Sequence, residues 1–133
     1  FTHALGFSGG LYGTWVDISQ PVYPTRWNTA LVNTPNQLRT TQLVQAARTH
    51  FNCPSLTGVR LEDQGGSSTQ GSHFEQQDYG NELMTGYAIY PYVISKMTLS
   101  AFADMGWYEE EDKRLHFKST YHFYSFQVHD RSS

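Results

Sequence analysis

The spacing of apolar positions predicts two helices set in much irregular chain. Between residues 35 and 51, Leu43, Ala47 and Phe51 recur every four positions with Val44 beside them, the pattern of one helix face. Thr34 is a natural N-cap for it, Pro35 fits the first helical position, and Gln37 sits where a capping box needs it. Cys53-Pro54 closes the run. A second helix is predicted over residues 95–105: Ser95 caps it, Met97, Ala101, Phe102 and Met105 share a face, and Gly106 stops it. Residues 58–62 (GVRLE) alternate as a short strand does. Residues 1–6 read as the last turn of a helix, with Gly6 where a positive φ is needed.

The rest is punctuated by turn formers. Residues 7–33 hold Trp15 and Trp27 among Gly, Pro, Asn and Thr, and read as packed irregular chain with one short strand. Residues 63–72 have no apolar member and form a loop, and residues 78–91 are rich in turn signals. After Tyr108 the composition shifts. The run EEEDKR at 109–114 reads as a solvated segment. Beyond it His116, His122 and His129 lie among aromatics without Cys or carboxylate at ligand spacing, which favours a terminal strand or an unstructured tail over a metal tract. The expected fold class is α+β, dominated by loops.

Composition removes several functions. Nine basic against 12 acidic residues, net −3, leave no electrostatic footprint for nucleic acid. The 3 Trp, 9 Tyr and 8 Phe are too many for a disordered segment. No run of 18 apolar residues is present, so no spanning helix is predicted. Cys53 is the single cysteine, which forbids a disulfide within these 133 residues. Residue 1 is Phe and no basic leader precedes an apolar run, so the natural N-terminus is expected upstream. No N-x-S/T sequon occurs, so no glycosylation is expected within the chain. Taken alone, the three methionines read as flexible core filler.

Two of the six histidines stand in richer contexts. His3 lies in FTHALGFS. His73 lies in GSHFE, after LEDQGG and eleven residues before Met84 in NELMTG. Together these segments resemble the leishmanolysins, zinc metallopeptidases of the metzincin group. FTHALGFS is similar to the end of their zinc-binding H-E-x-x-H helix, with His3 as its second histidine and Gly6 as the helix-break glycine. GSHFE is similar to the segment carrying the third zinc histidine, here His73, and Met84 resembles the methionine of the Met-turn beneath the metal. SKMTLSAFADMGWY at 95–108 resembles the helix that closes the catalytic domain, and HFNCPSLTG at 50–58 also resembles the family.

The resemblance covers roughly residues 1–108 and implies the C-terminal part of a metzincin catalytic domain, with 109–133 as a divergent or disordered tail. It implies one catalytic Zn2+ held by His3, His73 and a further histidine, acting on protein or peptide substrates. It also implies an extracellular or cell-surface location, with any membrane attachment made by an anchor outside these residues. Zinc in such sites takes three protein ligands and leaves one position for water, whose proton the motif glutamate removes. The first histidine and that glutamate would stand directly before Phe1, so the 133 residues alone are expected to be inactive. Glu75 is no substitute in that scheme, Phe74 stands where Trp is usual, and no partner for Cys53 is present. Two readings compete. In one, a catalytically dead metzincin fold binds peptide or sugar through Trp15, Tyr23, Trp27, Tyr87, Tyr90 and Tyr92. In the other, the chain is an unrelated aromatic-rich domain. The last would leave His3 and His73 far apart; the others require their imidazoles to meet across 70 positions, within about 8 Å.

Overall fold

Two buried carboxylates decide where the two long helices begin. A computed structural model describes residues 2–17, 25–26, 31–33, 36–87, 89–111, 114–117 and 125–127. Helix α1 spans Thr41–His50. Its first amides, Gln42 N and Leu43 N, donate to the Asp104 carboxylate at 3.3 and 2.9 Å. Asp104 closes the helix here called α3, Lys96–Asp104, so the end of one helix caps the start of the other. The N-terminus of α3 is capped twice. Ser95 Oγ accepts from Met97 N at 3.1 Å, and the buried Glu82 carboxylate accepts from Ser95 N and from the Thr98 hydroxyl.

The second helix lies where expected, and Gly106, at φ +76°, turns the chain just past its C-cap Met105. The first does not. It starts six residues late, because Asn36–Leu38 form a strand between Leu31–Asn33 and Val59–Arg60. Gln37 pairs with Val32 and Arg60 and so caps nothing; Thr34 and Pro35 lie outside the described residues. A capping box competes poorly when a strand pairing takes its third member and a distant carboxylate serves the helix instead. Phe51 also departs from expectation. It is the C-cap residue, 40% exposed, and packs on Tyr79 at 5.5 Å rather than on the α1 core face. Asn52, at φ 49°, turns the chain before Cys53-Pro54 is reached.

In chain order the strands are β1 Val16–Asp17, β2 Thr25–Arg26, β3 Leu31–Asn33, β4 Asn36–Leu38 and β5 Val59–Arg60. They make an antiparallel β1–β2 pair and an antiparallel β3–β4–β5 sheet. Residues 7–33 thus hold three strands among the described residues, where one was expected; Tyr23 and Trp27 lie outside them. A four-residue helix, α2, spans Gln76–Tyr79. Three strands, β6 Tyr108–Glu111, β7 Arg114–Phe117 and β8 Ser125–Gln127, form an antiparallel meander. Glu109–Glu111, expected in a solvated run, are strand backbone, and the boundary expected at Tyr108 falls within β6; His122 and His129 are outside the described residues.

The core joins these parts. Leu43 and Ala47 of α1, Met97, Ala101 and Phe102 of α3, and Leu38, Val59 and Met105 bury their side chains together. Helix α3 is buried from Met97 to Asp104, the mark of a central helix. Beside it Phe7, Tyr12, Trp15 and Phe74 form an edge-to-face aromatic block with centroids 5.1–5.9 Å apart. Each such pair adds about 0.5–1.5 kcal/mol beyond its buried area. The architecture is a small mixed α+β arrangement.

Candidate metal centre

The aromatic block sits directly behind two chain segments that each carry a histidine. The first is the 3-10 turn Thr2–Leu5. It ends because Gly6 takes φ +108° and donates its amide to His3 O at 3.1 Å. Gly6 also packs against the Trp107 ring, leaving no room for a Cβ. Phe7 then enters the core fully buried, and its carbonyl lies 2.5 Å from His3 Nδ1.

The second segment is the loop between Leu61 and Phe74, which are bridged antiparallel. Buried Glu62 closes it. Its amide donates to His73 O, its carbonyl accepts from Gly71 N, and its carboxylate accepts from Gln64 N and Gln76 N at 3.0 and 3.2 Å. His73 Nδ1 lies 3.0 Å from Thr69 O. Phe74 packs on Phe7 at 5.2 Å, which locks the two histidine segments together.

The structure therefore brings His3 and His73 together. Their rings cross at 81° with centroids 4.6 Å apart, and their Nε2 atoms are 3.0 Å apart. A carbonyl can only accept, so each Nδ1 is assigned the proton and each neutral ring keeps its lone pair on Nε2. Two lone pairs then face each other, an arrangement that a proton or a metal ion between them would satisfy. Two imidazole nitrogens on one tetrahedral zinc would stand about 3.3 Å apart, given bonds of about 2.05 Å. The residues fit such an ion. Burial lowers the His73 pKa, with the Thr69 carbonyl raising it, His3 lowering it and Glu62 raising it. The net direction keeps His73 neutral and able to ligate near pH 7.

Met84 is fully buried, and its carbonyl accepts from Phe74 N at 2.7 Å, one residue from His73. Glu75, also buried, is occupied elsewhere: it accepts from Gln77 N at 3.4 Å and faces Arg60 at 3.6 Å. Glu62, Asp63 and Glu75 cluster within 4.8 Å, but Arg60 lies against Asp63, Glu75 and Asp78 and supplies the positive charge there. Phe7 and Thr69 act through main-chain carbonyls, which leave no mark in a sequence. Glu62 stood within LEDQGG, but nothing in that pattern shows its closing role.

A histidine pair held this way, Nε2 toward Nε2 with each Nδ1 against a main-chain carbonyl, has the geometry to share a metal ion. The family model for leishmanolysin matches residues 1–113. A leishmanolysin homolog of Crithidia fasciculata is 40% identical over 110 residues, 80% of this chain and 16% of its own. A leishmanolysin-like peptidase of Drosophila pseudoobscura pseudoobscura is 45% identical over 69 residues, 52% of this chain and 10% of its own. A ciliated left-right organizer metallopeptidase of Xenopus laevis is 31% identical over 115 residues, 80% of this chain and 16% of its own. The chain belongs to the leishmanolysin family, a family of metallopeptidases. It spans about a sixth or less of the length of these relatives.

Proposed function

We propose that this chain is part of a zinc-dependent endopeptidase of metzincin fold, in which His3 and His73 are two of three zinc ligands. The observation that supports this is the pair of Nε2 atoms at 3.0 Å, each with its Nδ1 held by a backbone carbonyl. Zinc bound there would supply an acidified water and polarise a substrate carbonyl. The residues of this chain orient the imidazoles, through Phe7 O and Thr69 O, and wall the site from below with Phe7, Phe74 and Met84. In this reading the third histidine and the general-base glutamate stand immediately upstream of Phe1, the substrates are proteins or peptides, and the protein works outside the cell or at its surface.

The test is His73→Ala in the full-length parent. Zinc-dependent cleavage of a protein substrate should fall by several orders of magnitude; unchanged turnover sinks the assignment. The competing reading, a dead fold that binds through aromatics, keeps some support. Tyr87 and Tyr90 are 65% and 83% exposed and Tyr92 is also exposed, whereas Trp15 is fully buried and contributes to the core instead. Retained peptide binding with no hydrolysis in the intact parent would favour that reading.

A further inference from the structure

The carbonyl that orients His73 belongs to a residue wedged between two glycines. Thr69 packs against Gly65 on one side, where an added Cβ would come 3.1 Å from Thr69 Cβ. On the other side lies Gly86, two residues beyond Met84. A Cβ at Gly86 would stand 2.5 Å from Thr69 Cγ2 and next meet Glu62 Cγ at 3.5 Å. Gly86 is not among the positive-φ residues, so its backbone does not itself require glycine. One methyl group is what excludes a side chain there.

We propose that Gly86 is a positioning residue for His73: by leaving room for the Thr69 methyl it lets the Thr69 turn sit where its carbonyl meets His73 Nδ1, and so sets the tautomer and direction of the His73 ring. This rests on the reading of His73 as a metal ligand. The Thr69 carbonyl also accepts from Ser72 N at 3.1 Å, and Thr69 N donates to Gly66 O at 3.1 Å, so the turn has little freedom to yield independently. A Cβ at Gly86 pushes the Thr69 side chain away, moves the turn with it, and loosens the carbonyl from Nδ1. Partners that fix a ligating histidine are worth roughly 10–100-fold in metal affinity. The segment after Met84 thereby becomes part of what aims His73.

The experiment compares the full-length parent, which in this reading supplies the third ligand, with its Gly86→Ala, Thr69→Ser and double variants. Histidine tautomers are read by 15N NMR at mildly alkaline pH without metal, and affinity is read by titration with Zn2+ alone. Wild type and Thr69→Ser should show His73 protonated on Nδ1. Gly86→Ala should shift it toward Nε2 and weaken zinc binding tenfold or more. The double variant, which lacks the obstructing methyl, should recover both. An unchanged tautomer in Gly86→Ala overturns the proposal, and so does a double variant that stays perturbed. If Gly86→Ala unfolds by circular dichroism, a folded, wild-type-like double variant supports the proposal and an unfolded one overturns it. Failure of the wild type to bind zinc would count against the metal reading, while the tautomer comparison still decides the role of Gly86.

Discussion

Replacing Gly6 with alanine strains the chain in two separable ways. A φ of +108° lies outside the regions that L residues favour, which costs about 1–3 kcal/mol. The new Cβ would also overlap Trp107 Cζ3, with Trp107 Cε3 at 3.1 Å and Met105 Sδ at 3.3 Å. Overpacking of this kind costs about 1–3 kcal/mol, toward the lower end here because Trp107 is only partly buried and its ring can swing. The sum is about 3 kcal/mol. With a urea slope of about 1–3 kcal/mol per molar, the midpoint should drop by one molar or more. Urea unfolding followed by tryptophan fluorescence reads this directly. Gly10→Ala is the control: nothing lies within 4 Å of its Cβ position and its φ is not positive, so it should move stability by about 0.5 kcal/mol or less. A Gly6→Ala loss no larger than the Gly10→Ala loss, at unchanged slope, would refute both the backbone and the Trp107 arguments.

Asp104→Asn should cost about 1–2 kcal/mol, because one oxygen still accepts from α1 while the other end becomes a donor facing a donor. Burial raises the Asp104 pKa above 3.8, so its contribution is full below that unfolded value and is lost as pH rises through the folded one. The stability gap between wild type and Asp104→Asn should therefore narrow as pH rises from below 3.8 through the folded value; a widening gap in urea titrations would contradict the burial argument. Glu82→Ala, which strands the Ser95 amide and the Thr98 hydroxyl, should cost about 2–4 kcal/mol by the same assay, and Glu82→Gln visibly less. Equal losses for the two Glu82 variants would mean that the hydrogen bonds are not what the residue supplies.

What could be read from the sequence follows the range of the interactions involved. Ser95, the apolar face of α3 and Gly106 are local signals that nothing distant opposed, and that helix lies where they put it. The strand at 58–62 was similarly local, although Leu61 reaches beyond it to bridge Phe74. Helix α1 was misplaced because its cap comes from Asp104, 61 residues away from Leu43, and because Gln37 had a strand partner on either side. The meeting of His3 and His73 was legible only through the resemblance. No periodicity links two residues 70 positions apart. The Thr69 and Phe7 carbonyls were out of reach altogether, since every residue has one.

The described carboxylates explain why carbonyls hold the histidines. Glu62, Glu75, Glu82 and Asp104 are all buried, and each accepts from backbone amides at the start of a helix: Gln76, Gln77, Ser95, and the Gln42–Leu43 pair. Buried charge is tolerated there because amide dipoles and helix ends meet it. A carboxylate placed instead on either Nδ1 would bring a negative charge beside the imidazole and raise its pKa, so protons would compete for Nε2 at neutral pH. A neutral carbonyl fixes the same tautomer with a smaller upward pull, and at His73 burial outweighs that pull. The fold thus sets its charged acceptors on helix starts and its neutral ones on the histidines, as the proposed metal reading requires.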